Sequence, residues 1–305
     1  MNRLLTAVIS LILLASSTTA GENRLLHAFL VASSDDAELF PFRRKAIAEL
    51  INGGDKTVDM LLGFLTTEDE RERAAIKEVF RGIGKDAEGT LLHLLADKDR
   101  GKVAFVVELL GEIKTEQSAI PLILLLNDPD PDIRASAAAS LGKIGDPVAL
   151  DALLQALSDS AYLVRENAAY SLGMLQRNEA VPHLIAALSD QCFTVRYAAS
   201  WALARLDSRA ALDSLDTHLD IEDELTKAYI VVTIGAMRDT SELPLIFSLL
   251  ENPSSRTRGF ACDALSHFQG NWRVANRLKQ ALHDPSPFVR MKAKQALLKM
   301  SNEIY

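Results

Sequence analysis

One signature returns nine times along this 305-residue chain, about every 31 residues. Each copy is an apolar stretch, a polar turn that often holds Asp, a Val-Arg-like pair, and an alanine-rich stretch ending in Leu-Gly or a near equivalent. The pair is anchored at Arg43, Arg73, Val103, Arg134, Arg165, Arg196, Lys227, Arg258 and Arg290, at spacings of 30 to 32 residues. A fixed period of this size constrains the fold more than any composition does. Each unit is too small to bury its own apolar face and must bury it against its neighbours. The expected architecture is therefore all-α: an α-solenoid, or superhelix, of about nine stacked two-helix repeats. Such a stack grows without a central core, and no Pro/Gly/Ser-rich linker interrupts residues 21–305. They read as one continuous solenoid.

Residues 147–175 show how one unit is built. Val148, Leu150, Leu153, Leu154 and Leu157 recur at helical spacing and define an amphipathic first helix. Ser158-Asp159-Ser160 is a turn of capping residues. Val164, Ala168, Leu172 and Leu175 then lie on one stripe of a second helix, which Gly173 and the polar run to Asn178 are expected to end. Asp stands six residues before Arg at Asp128/Arg134, Asp159/Arg165, Asp190/Arg196 and Asp284/Arg290. A turn Asp can accept N–H groups where the second helix starts, and an Arg further into that helix can reach back to the turn, or to the adjacent unit's turn. Recurrence in unit after unit marks this pair as a structural ladder. Pro121, Pro182 and Pro244 fall early in first helices, where a missing N–H is tolerated.

The segments 128–146, 159–175 and 284–300, with their Asp-x5-Arg spacing and alanine-rich second helix, resemble HEAT repeats. The likeness is to the short bacterial HEAT-like type known also from phycobilin lyase subunits, and it covers residues 25–300. The first three units depart from it: Val103 replaces an Arg, and Ala37 and Thr67 replace the Asp. Unit 7 departs too, with Lys227 and Ile221. The resemblance implies a curved solenoid whose second helices line a concave face, usually one that binds protein.

Residues 1–20 stand apart from the repeat. Arg3, an apolar run from Leu4 to Ala15, and Thr18-Thr19-Ala20 before Gly21 read as a cleaved secretory signal peptide. The run is too short to span a bilayer, and no later apolar stretch is long enough. The expected location is periplasmic or extracellular. Cys192 and Cys262, the only cysteines, lie two units apart, beyond disulfide reach.

Chemistry-bearing motifs are scarce. The six histidines fall in different units, none in a metal-ligand spacing, and no phosphate-binding loop or nucleophile elbow occurs. We expect no catalytic residue, metal or cofactor. The net charge is −8, with residues 271–305 carrying seven cations against two carboxylates and the body strongly acidic. An acidic body disfavours nucleic acid. The opposed charges could promote head-to-tail contact, but the simpler expectation is a monomer with a solvated capping helix.

The best local signal is aromatic. Stepping 100° per residue from each anchor, the face away from the core holds Tyr170 in unit 5, Tyr197, Trp201 and Arg205 in unit 6, and Tyr229 in unit 7. Rings beside charges are typical of contact surfaces. The leading expectation is an exported, non-catalytic scaffold that binds an unidentified protein or peptide through these residues on its concave face. The alternative is a lyase-like or cofactor-handling subunit related to bilin lyases.

Overall fold

A computed structural model describes residues 20–206, 209–217, 219 and 224–302. The expected leader, residues 1–20, lies outside them except for Ala20. The described residues are helical or turn, with no strand among them, and the chain is an all-α solenoid of two-helix repeats. No described helix is long and apolar enough to cross a membrane.

The chain divides into two compact units, one up to Asp146 and one from Pro147 on. The first holds α1 (Ala20–Ser33), α2 (Phe40–Asn52), α3 (Asp55–Leu61), α4 (Glu70–Ile83), α5 (Glu88–Leu94), α6 (Arg100–Ile113), α7 (Ala119–Leu125) and α8 (Pro131–Ile144). The second holds α9 (Leu150–Ala156), α10 (Tyr162–Leu175), α11 (Val181–Ala187), α12 (Phe193–Leu206), α13 (Arg209–Thr217), α14 (Glu224–Ala236), α15 (Leu243–Leu249), α16 (Ser255–Leu265), α17 (Trp272–Ala281) and α18 (Pro287–Asn302). Odd-numbered helices are the first helices of repeats and even-numbered ones the second.

Within each unit the second helices pack in series, α2 on α4 on α6 on α8, and α10 through α18 in the same way, and most also pack on their own first helix, whereas α4 packs on α1. The core is the line of seams between them, filled by residues such as Val79, Leu110, Leu141, Leu172, Leu203 and Ile234. Second helices start on side-chain caps: Asp69, Asp99, Asp130 and Ser254 accept N–H groups of the first turn. Several end on a left-handed residue, Gly145 at φ 77° and Gln176 at φ 51°. Gly173 does not end α10, as its sequence suggested. It lies inside the helix, buried, where a Cβ would sit 2.7 Å from the Ala202 Cα of α12. Gly235 stands in the same relation to Ala264 of α16. These glycines let neighbouring second helices approach to backbone contact.

The Asp-Arg spacing is resolved into two bonds with different partners. Each Arg turns one nitrogen to carbonyls of its own turn: Arg165 to Asp159 O at 2.7 Å and Arg290 to Asp284 O at 2.8 Å, with Arg134 and Arg196 alike. Arg165 and Arg258 turn their other nitrogens to the carboxylate of the next repeat. Arg165 grips Asp190 at 2.7 and 2.9 Å, and Arg258 grips Asp284 at the same distances. Further turn carboxylates accept from the residue just before the second helix, Asp159 from the Ala161 N–H, Asp190 from the Cys192 N–H and Asp128 from the Asp130 N–H. Where Val103 breaks the pattern, Arg100 supplies the guanidinium to Asp128 from the start of the same helix.

Candidate functional site

α10, α12 and α14 lie side by side in the second unit and carry the aromatic residues singled out from sequence. The glycine at 173 brings α10 and α12 close, and Trp201 lies over it. The Trp201 ring meets Tyr170 edge-on, with centroids 5.2 Å apart. Arg205, one turn on, places its guanidinium 5.4 Å from the Trp201 ring, within cation–π range. Burial first, then the neighbouring Tyr197 and Glu166, push the Tyr170 phenol up from its ordinary pKa. Tyr197 is 56% exposed, and Met174 beside this group is 43% exposed. Tyr170, Tyr197, Trp201 and Arg205 thus come together as one patch.

Tyr229 has a different role. It takes the Arg196 guanidinium over its ring at 5.3 Å, and its carbonyl accepts from Thr233 at 2.7 Å. Arg196 is buried, and its Nε has no hydrogen-bond partner among the described residues. Ile221 stands in the sequence where the next repeat's Asp would be. The ring provides the face on which a guanidinium without that carboxylate can rest. Phe260, on the same face further on, is an inter-helix contact: it meets Phe288 edge-on at 6.1 Å, and Asp263 pairs with Lys292 at 2.6 Å.

The same face in the first unit is ionic, a feature that motif reading passed over. Glu112 of α6 is buried between Arg81 of α4 and Lys143 of α8, with Lys143 at 2.7 Å. Burial opposes its ionisation, but the hydrogen bonds from Lys143 and Arg81 outweigh it and hold the carboxyl below its ordinary pKa. Arg73 lies 3.8 Å from the Phe105 centroid and bonds Glu108 at 3.3 Å. The signal was available as charges spaced by one repeat, 81, 112 and 143. Among the described residues, no three His, Cys, Asp or Glu side chains are grouped so as to hold a metal ion. Both cysteines are free thiols.

Second helices at glycine distance, tied repeat to repeat by an Arg fork, are the construction of an α-solenoid. The particular family follows from the sequence: a profile of HEAT repeats matches residues 87–173, 150–227 and 218–298. The chain belongs to the HEAT-repeat family. Among solved structures, it is similar to YibA of Escherichia coli, at 18% identity and a TM-score of 0.53 over 87% of this chain and 98% of that one. It is also similar to an archaeal HEAT-like repeats protein from Thermococcus onnurineus NA1, at 19% identity and 0.45, over 72% and 98%. The complex of CpcE and CpcF of phycocyanin lyase from Nostoc sp. PCC7120 matches at 29% identity and 0.41, over 58% and 75%. These are likenesses of fold. No curated protein sequence matches the chain.

Proposed function

We propose that this protein is an exported, non-catalytic HEAT-repeat scaffold that captures a protein or peptide partner on the face of α10, α12 and α14, the face expected to be concave. The observation that carries the reading is the patch itself. Tyr170 and Trp201 are locked edge to face, Tyr197 is more than half exposed beside them, and Arg205 is exposed at the rim. Rigid rings with a flanking guanidinium make large contact area at low entropic cost, which is how binding hot spots are built. Export rests on the charge and apolar pattern of residues 1–20.

The test separates binding from folding. Trp201 packs over Gly173 and against Tyr170, so its removal also costs stability. Tyr197→Ala with Arg205→Glu is the better pair, since both side chains are exposed. A partner captured from an envelope extract and crosslinked to this face should bind the double variant at least about 30-fold more weakly, one hot-spot residue's worth. The thermal midpoint should not move. Equal binding by the double variant defeats the proposed face. A purified protein that carries a pigment or other bound small molecule defeats the scaffold reading. Export is checked by fractionation and N-terminal sequencing, with a mature chain starting near Gly21 expected and cytoplasmic retention of the whole chain contrary to it.

A further inference from the structure

Register shows which face of α18 corresponds to the face that α16 buries against α18. Counting from each anchor, positions +1, +5 and +8 of α16 are Gly259, Asp263 and Ser266, and α18 lies against all three. A Cβ at Gly259 would meet the Phe288 ring at 2.3 Å, Asp263 pairs with Lys292, and Ser266 meets Lys299 at 3.5 Å. The same positions of α18 are Met291, Gln295 and Leu298. All three are exposed, Met291 at 46% and Leu298 at 51%.

The +8 position is glycine in α6, α10 and α14, where the next helix presses on it. Where it is large and covered, at Ile51 of α2, the facing residue is Gly82, which makes room for it. Leu298 is therefore a knob that needs a hollow. The first unit contains one. α1, α2 and the start of α4 enclose a cleft of about 670 Å³ whose apolar side is Leu30, Val31, Leu39 and Phe42. Phe42 in its lining is 57% exposed. Its lining holds five carboxylates, Asp36 and Asp69 among them, against the cations Lys45 and Arg71. The knob has the opposite charge: residues 271–302 hold seven cations and one carboxylate, and exposed Lys294 sits between Met291 and Leu298.

We propose that α18 of one molecule docks in the α1–α2 cleft of a second copy, head to tail, in place of the monomer expected from sequence. Met291 and Leu298 enter the apolar side of the cleft, and Lys294 meets its carboxylates. Such an interface is heterologous, each copy offering one knob and one cleft, so assembly continues beyond a dimer or closes into a ring.

Light scattering on the full chain across a concentration series tests this. In about 0.01 M salt the average mass should climb past that of a dimer. In about 1 M salt, where the screening length falls from about 30 Å to about 3 Å, the association constant should drop at least tenfold. Met291→Asp with Leu298→Asp, and separately Phe42→Asp, should each give monomers with unchanged circular dichroism. Mixed together, the two variants should form a one-to-one heterodimer, since one keeps the cleft and the other the knob. Lys294→Glu, which disturbs no packing, should weaken association at least tenfold. Four results would overturn the proposal: a wild-type monomer at every concentration in low salt, variants that associate like wild type, a mixture that stays monomeric, or a co-purified small molecule filling the cleft.

Discussion

Asp190→Ala tests the inter-repeat ladder at a fully connected rung. The Asp190 carboxylate receives Arg165 through two bonds, at 2.7 and 2.9 Å, and the Cys192 N–H at 2.7 Å. The two charged side chains are only 16% and 13% exposed. Removing one partner of a fully buried ion pair costs about 3–5 kcal/mol, chiefly because the other charge is left without compensation. Two things lessen the loss here. Arg165 keeps its bonds to the Asp159 and Ser160 carbonyls, and residual exposure lets water reach it. We expect about 2–3 kcal/mol from denaturant unfolding followed by circular dichroism. Asp190→Asn, which keeps an acceptor for the Cys192 N–H but not the charge, should cost about half as much. The control is Glu179→Ala. That residue pairs with Arg177, but the side chains are 56% and 45% exposed, so the loss should stay under about 0.5 kcal/mol. If Asp190→Ala costs no more than Glu179→Ala, the ladder does not hold the repeats together.

Acid should attack the same rungs. The Arg258 fork, against some burial, holds Asp284 below its ordinary pKa of 3.8; for Asp190 burial is the larger influence, but the Arg165 bonds and the Cys192 N–H prevail. Carboxylates depressed in the folded state stabilise it above the unfolded-state pKa and lose that contribution as pH falls through the folded value. Stability should therefore be flat above about pH 5 and fall below about pH 4, less steeply in an Asp190→Ala, Asp284→Ala double variant, as thermal melts across pH would show. Gly235→Ala should destabilise: helix propensity alone would gain about 1 kcal/mol, but the new Cβ would sit 2.5 Å from the Ala264 Cα, and such overpacking against a backbone that cannot rotate away costs about 1–3 kcal/mol. A stabilised variant would mean that α14 and α16 are free to separate. The two thiols should differ in alkylation. Cys262 is buried and its pKa is pushed up to about 12, whereas hydrogen bonding to Thr194 lowers that of the half-buried Cys192. Mass spectrometry after mild alkylation at pH 8 should find label on Cys192 alone, and label on Cys262 in the native protein would contradict the packing of α16.

By itself the sequence determined the repeat, its period and the all-α solenoid, because a unit of about 31 residues with one apolar stripe has no way to bury it except against copies of itself. It also marked the Asp and Arg positions of the ladder, since a bond remade in unit after unit leaves its spacing in the chain. It did not decide which atoms bond. The turn carboxylate could serve its own Arg or the previous one, and only the offset between stacked helices gives it to the previous repeat. Gly173 shows the same limit. Within one helix a glycine reads as a terminator, and it takes the neighbouring Ala202 to show that it is a point of contact. Tyr229 looked like Tyr197, one step away on the same face, but the guanidinium of Arg196 lies over one ring while the other is exposed. Local pattern sets the face that a side chain occupies. What covers that face depends on the next helix, 31 residues away, and only the packed structure decides it.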